Sequence, residues 1–373
     1  QDSSFAGAKT AQGNQDGNDI GDFYYTPPTG FLALCTSNLP DVAVVPSENF
    51  NTVLYTGTGS SNAITGVGFQ PDFAWIKDRT NAYQHQAFDA VRGVTKKLHQ
   101  STSAAEATDT TSLTAFGADG FTVSTNAGLN TNTASYVAWN WKANGSGSSN
   151  TNGSINSTVS ANVDAGFSIV KFHGTGANAT VGHGLSKAPE LVICKDREAA
   201  NGWGVGQFQL SNTKALYLDL TIAFDTNNYW NSTNPSSTLI SLGTSGATNA
   251  NNEMIAYAFH SVDGYSKVGS YTGNGNADGA FVYTGFRPAF VLCKRTDGGD
   301  SWIILDSTRD TYNVANHSLW PNLSDAEGQV ANKQIDIVSN GFKHRQTSNQ
   351  LNGANNYIYL AFAETPFKYS NAR

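Results

Sequence analysis

The chain has 373 residues, which at about 100–200 residues per domain predicts two or more domains. Only 14% of it is charged, against about 25% in an ordinary soluble domain, and its formal charge of −7 contains no run of Lys or Arg. Nucleic acid is thereby excluded as an expected partner, because phosphate neutralisation needs clustered cations.

Hydrophobic residues at 39%, with 20 Phe, 15 Tyr and 7 Trp, are enough for packed cores, so wholesale disorder is not expected. No stretch approaches the roughly 20 apolar residues of a membrane helix, and no signal peptide is visible. The first residue is Gln1 rather than Met, which reads as processing or as a piece of a longer chain. Cys35, Cys194 and Cys293 are too few and too scattered for a disulfide framework or a zinc site. No cofactor is expected.

Residues 1–50 share no pattern with the rest and read as an extended N-terminal arm. Pro27 and Pro28 hold the segment Gly21–Phe31 extended. The acidic cluster Asp16-Gly17-Asn18-Asp19-Ile20-Gly21-Asp22 lacks the spacing and terminal Glu of an EF-hand loop, and a solvated turn is expected there.

Residues 51–142 form the first of three similar units. It opens with Val53-Leu54-Tyr55-Thr56-Gly57-Thr58-Gly59 and continues through Gly68-Phe69-Gln70-Pro71-Asp72-Phe73-Ala74-Trp75-Ile76-Lys77. A short Gly120-Phe121 strand and the Asn130-Thr131-Asn132 turn then lead to Tyr136-Val137-Ala138-Trp139. Ser103–Ala107 is the best helical candidate, a capped single turn. Residues 143–158 are rich in Gly, Ser and Asn and read as a flexible linker.

The second unit, 159–265, repeats the first block as Val170-Lys171-Phe172-His173-Gly174-Thr175-Gly176 and the second as Pro189–Lys195. The third, 266–373, repeats them as Gly269–Gly275 and Gly285–Lys294. From Gly57 to Lys77, Gly174 to Lys195 and Gly273 to Lys294 the intervals are 20, 21 and 21 residues. Both later units close on an Asn-rich turn and an aromatic strand, Met254–Phe259 and Tyr357–Phe362. Strand-length apolar or alternating runs bounded by Gly, Pro and Asn predict sheets. The expected fold is all-β: three tandem homologous, jelly-roll-like β-sandwich domains behind the arm. Units two and three meet without a spacer and are expected to pack rigidly.

The segment 23–40, Phe23-Tyr24-Tyr25-Thr26-Pro27-Pro28-Thr29-Gly30-Phe31-Leu32-Ala33-Leu34-Cys35-Thr36-Ser37-Asn38-Leu39-Pro40, resembles the end of a concanavalin-like (SPRY-type) domain in large virion proteins of tailed bacteriophages. The repeated Tyr-Thr-Gly and Gly-Phe-x-Pro blocks and Asp89-Ala90-Val91-Arg92-Gly93 resemble the same marine-type group. The resemblance implies a virion-surface, fibre or tail role and brings no catalytic residues. The resemblance also implies a globular domain ahead of the 23–40 segment, which is expected to be cleaved or to lie outside this sequence.

The residues themselves offer few chemical motifs. Among the seven histidines, His173 and His183 are the tempting metal pair, yet His173 stands where the other units have Thr56 and Thr272. Asp89 with Arg92 and Asp306 with Arg309 read as local, exposed ion pairs ordering a turn. The seven Glu show no recurrent pairing of the kind a glycosidase needs, and neither a nucleophile elbow nor a phosphate loop occurs. Trp75, Trp139, Trp141 and Trp302 read as core. Tyr229, Trp230 and Trp320 lie in polar stretches and are the candidates for stacking on a sugar.

These observations predict a non-enzymatic structural protein on a tailed-phage virion, as a fibre, spike or decoration element. A homo-oligomer is expected, with the arm anchored on capsid or tail proteins. The alternatives are a carbohydrate- or receptor-binding module contacting host surface glycan and, behind it, a glycan-degrading enzyme.

Overall fold

The computed structural model describes residues 10–39 and 43–366. Strand makes up 40% of the molecule and helix 4%, so the protein is all-β. Among the described residues no helix is long and apolar enough to cross a membrane.

One antiparallel arrangement occurs three times. In unit 1 the strands Phe50–Thr56, Ser135–Trp141, Phe73–Asp78 and Gln86–Asp89 lie side by side in that order. Unit 2 places Phe167–His173, Glu253–Phe259, Leu191–Asp196 and Gly204–Gln207 in the same order. Unit 3 does so with Ser266–Thr272, Asn356–Pro366, Phe286–Arg295 and Ile303–Asp306. A smaller antiparallel sheet forms the second layer of each sandwich. It is built on Asn62–Ile64 with Gly120–Val123, on Ala179–Gly182 with Leu239–Leu242, and on Phe281–Tyr283 with Gly341–His344.

The inner strands of each main sheet are buried on both faces, which is why they run mostly apolar rather than alternating. In Phe73–Asp78 every residue is buried. Ala74 and Ile76 face the small sheet and meet Val53, Phe88, Phe121 and Leu129 in a core private to unit 1. Phe73 and Trp75 face the other way, into a core that draws on all three units. Phe50 stacks on Phe362 with ring centroids 4.8 Å apart, and Phe73 lies 4.4 Å from Tyr257. The three sandwiches therefore stand around one central axis, closed into a single body.

The repeated sequence blocks have local causes. A Cβ on Gly57, Gly174 or Gly273 would come within 2.1 Å of a backbone carbonyl, and Gly59, Gly176 and Gly275 have φ near +70° at 71°, 66° and 65°. Only glycine suits both requirements. The turn they form is gripped by the Asn of the later block. Asn249 accepts from the Thr175 N–H (2.9 Å) and donates to the carbonyls of Ala177 (2.6 Å) and Gly243 (2.7 Å). Asn130 and Asn352 make the corresponding bonds in their units. The buried Lys77, Lys195 and Lys294 close the next loop, their ammonium groups donating to the carbonyls of Asp78, Asp196 and Arg295.

Three expectations are corrected. Residues 143–158 are no free linker: Ser148–Asn150 pairs with Ser157–Asn162, and the Ala143 N–H donates to Asp72 (2.8 Å). Composition registers small side chains but not the backbone partners they leave accessible. Ser103–Ala107 is no helical turn, being irregular to Glu106 with Ala107 opening a strand, and among the described residues the short α-helices are Ala127–Asn130 and Gly246–Asn249. The described part of the arm is folded on itself, with Phe23 bridged to Asn14, while residues 1–9 and 40–42 of the arm and 367–373 of the third unit lie outside the described residues.

Candidate functional site

The charged side chains that the fold gathers most tightly lie in the seams between units. In each seam a backbone N–H crosses to the neighbouring unit at an equivalent place. Glu106 N donates to Arg197 O (2.8 Å), Phe224 N to Thr296 O (2.8 Å), and Glu327 N to Arg79 O (2.9 Å). The indole N–H of Trp203 reaches His99 O (2.9 Å), and that of Trp302 reaches Tyr217 O (2.7 Å). Unit 1 has His85 at that position, and its ring accepts from Trp75 instead (2.9 Å).

Two seams carry an ionic chain. Arg92 bonds Asp89 (2.5 Å) and Glu106 (3.0 Å), and Glu106 bonds Arg197 of the next unit (2.8 Å). Arg309 bonds Asp306 (2.5 Å) and Glu327 (2.9 Å), and Glu327 bonds Arg79 of unit 1 (2.7 Å). The side chains of Asp89, Arg92, Asp306 and Arg309 are fully buried. Burial works to raise the Glu106 and Glu327 carboxyls, but the guanidiniums beside them more than offset it and hold both below the usual value. Aromatic donors complete the sites: Tyr257 OH reaches Asp89 (2.7 Å) and Trp139 Nε1 reaches Asp306 (3.1 Å).

The third seam is neutral at every one of these positions. Gln207 replaces the Asp, Leu210 the first Arg, Phe224 the Glu, Thr296 the second Arg and Leu360 the aromatic donor. Gln207 still receives the Leu210 N–H at 2.9 Å, as Asp89 receives the Arg92 N–H at 2.8 Å, so the turn survives without its charge. A single retained ion there would be buried without a partner, which explains why the whole set is exchanged together. The Asp-x-x-Arg pairs are thus corrected from exposed turn features to buried ties between units.

Tyr229, Trp230 and Trp320 do not form a stacking surface. Tyr229 and Trp230 are 0% exposed. Trp230 donates to Lys214 O (3.1 Å) and packs edge-on against Phe208, over a backbone kept bare by Gly206. Tyr229 bonds Asp225 and the Tyr217 hydroxyl. Trp320 is half-buried against the core of unit 3. A polar stretch of sequence hid the fact that each ring turns inward.

His173 and His183 fall apart in the same way. His173 is an exposed side chain 3.2 Å from Glu253, and His183 is buried, bonded to Ser236 and Leu185. Among the described residues no group of three or more His, Cys, Asp or Glu is placed to hold a metal ion. The Asp16 carboxylate is filled by N–H donors from Asn18, Ile20, Ala33 and Asn38. Desolvation acts to raise it, and those donors bring it down to about 2.

Other aromatics do face solvent, Tyr312 and a pair on unit 3 among them. Phe281 and Tyr283, on the small sheet of unit 3, are 49% and 62% exposed. They alternate around the buried Val282, and their counterparts are Ala63 and Thr65 in unit 1 and Thr180 and Gly182 in unit 2. The alternation was present in the sequence, but the register that equates these positions was not.

The fold and its seams define an all-β protein of sandwich units closed around a shared core. The chain belongs to the family described as a domain of unknown function (DUF7483), whose match covers residues 45–366 and so takes in the main-sheet strands of all three units while leaving residues 1–44 of the arm outside. No curated protein matches it.

Proposed function

We propose that this is a non-enzymatic structural protein displayed on the outside of a tailed-phage virion, as a fibre, spike or decoration element. The observation that carries the reading is the polarity of the body. The incoming segment Ser47–Phe50 and the end of the last strand, Ala363–Glu364, line one cleft at one end. The turns gripped by Asn130, Asn249 and Asn352 stand at the opposite ends of the same strands. Attachment at one end and presentation of rigid, neutral loops at the other fit a displayed module, and the low surface charge suits media of variable salt.

The resemblance of the 23–40 segment and of the repeated blocks to phage virion proteins supports the same role. The ionic groups gathered in the seams are engaged in holding units together, which favours a scaffold over an enzyme. The carbohydrate-binding alternative loses the Tyr229–Trp230 pair on which it was built. Mass spectrometry of purified particles tests the proposal: the chain is expected as a stoichiometric component. Its absence from particles, or release of sugar from host envelope by the purified protein, overturns it.

A further inference from the structure

At the end of the body where the arm enters, the three seams differ. In the first two a carboxylate holds the chain as it crosses to the next unit. Asp72 accepts from the Ala143 N–H (2.8 Å), and Glu190 from the Ser261 N–H (2.7 Å). In unit 3 the last strand instead runs on beside its own neighbour to Pro366. Ala289 stands in the place of the two carboxylates: its carbonyl accepts from Ser307 N (2.9 Å), as that of Asp72 does from Ala90 N (2.8 Å) and that of Glu190 from Phe208 N (2.9 Å). The short side chain leaves a cleft of about 280 Å³ between units 3 and 1.

The walls of this cleft carry hydroxyls where the other seams do not. Thr52 pairs with Trp139 as Ile169 pairs with Tyr257 and Val268 with Leu360, and those counterparts are aliphatic side chains of the shared core. Ser307 and Thr308 follow Asp306 as Ala90 and Val91 follow Asp89, and the corresponding pair in unit 2 is Phe208 and Gln209. With Ser47, four hydroxyls line one cleft, and none of them bonds another described residue. Thr52 is 6% exposed and its oxygen is shielded from solvent. Burying a hydroxyl without a partner carries a cost that its aliphatic counterparts avoid.

Phe50, Ala289 and Ala363 give the cleft an apolar side, and its single charged residue, Glu364, is bonded to Arg287 (2.8 Å). An anion would meet that carboxylate, and a metal ion would find no second one in the lining. Hydroxyls both donate and accept, so they match a neutral ligand that does the same around a small apolar body. We propose that this cleft binds one neutral sugar ring, with the Thr52 hydroxyl as its most buried contact. The volume lies at the small end for ligand clefts, which begin near about 300 Å³. The site owes nothing to Tyr229 or Trp230, and it goes beyond the display role without resting on it.

Saturation-transfer NMR of the full chain with glucose, galactose, mannose and N-acetylglucosamine tests the proposal. At least one is expected to bind in the millimolar range, and Thr52→Val and Thr308→Val are each expected to weaken that binding at least about tenfold. Thr52→Val supplies the side chain that Val268 already has at the equivalent place, so thermal unfolding should be unchanged or raised, which separates lost binding from a lost fold. No transfer to any of the four sugars, or binding that either variant leaves unchanged, overturns the proposal. No virion enters this experiment, so its failure is distinguishable from a failure of the particle assay.

Discussion

The hydroxyl of Tyr257 donates to the carboxylate of Asp89 across 2.7 Å, joining residues 168 apart in the chain. Trp139 makes the same approach to Asp306, 167 residues away and in the opposite sense along the sequence. A row of beads could make the first contact with its neighbour, but only a closed ring lets the third unit meet the first. The repeats therefore stabilise one another cyclically, and removing a tie in one seam acts on the whole body.

Arg309→Met is expected to destabilise the protein by about 3–5 kcal/mol, because it leaves the buried Asp306 charge without its cation. Importing the neutral seam as a set (Arg79→Thr, Trp139→Leu, Asp306→Gln, Arg309→Leu and Glu327→Phe) should recover most of that loss. Urea unfolding monitored by tryptophan fluorescence reads both. A single variant as stable as wild type would show that the ionic chain is dispensable.

Gly174→Ala should destabilise by about 1–3 kcal/mol through overpacking, since its Cβ would lie 2.0 Å from Ala250 O. Asn249→Ala removes the group that grips the same turn and should cost a comparable amount for the polar atoms it strands. The two losses should not add, because both act on one turn. Additive losses in a double-mutant cycle count against the coupling.

Acid should weaken the fold before the carboxylates titrate. Burial pushes the His344 imidazole down to about 3 and His183 to about 4, and it is the largest cause holding His85 well below its ordinary value. The folded protein keeps these rings neutral, while the unfolded chain protonates them below about pH 6.5. The unfolded state then binds more protons, so stability falls as pH drops from about 6.5 towards the folded values, by about 1.4 kcal/mol per pH unit for each ring. Glu106 and Glu327, held low in the fold, add to the loss only as pH falls through and below about 4.5. Urea midpoints at pH 7 and pH 5 should differ, and a flat profile over that interval contradicts the burial of all three rings.

Native thiol labelling should stop at one site. Cys194 and Cys293 are buried where unit 1 has Ile76, and burial raises both thiols, that of Cys293 to about 12. Cys35 is exposed. One equivalent of reagent per chain is expected before unfolding and three after it. Rapid reaction at a second cysteine runs against this packing.

Limited proteolysis should spare residues 143–158 in the native protein. Ser148–Asn150 is a paired strand, and Ala143 and Asn144 are held by Asp72 and Ser160 (2.8 and 2.7 Å). Early cleavage in this stretch, read by mass spectrometry, would falsify that assignment.

The local grammar of the molecule was legible in its residues. Strand length, the Gly of each turn and the Asn-rich stretch ahead of each aromatic strand all depend on contacts within one unit, and the repetition of short blocks exposed them. The orientation of Tyr229 and Trp230, the burial of Asp89 and Arg92, the pairing of 148–150 and the closure of the ring were decided by the tertiary structure alone. Burial and pairing at those places come from groups brought across from other strands and, in the seams, from other units. Sequence periodicity reports which face of a strand is apolar. It does not report which unit will cover that face, and in this protein the second covered face is what turns three sandwiches into one core.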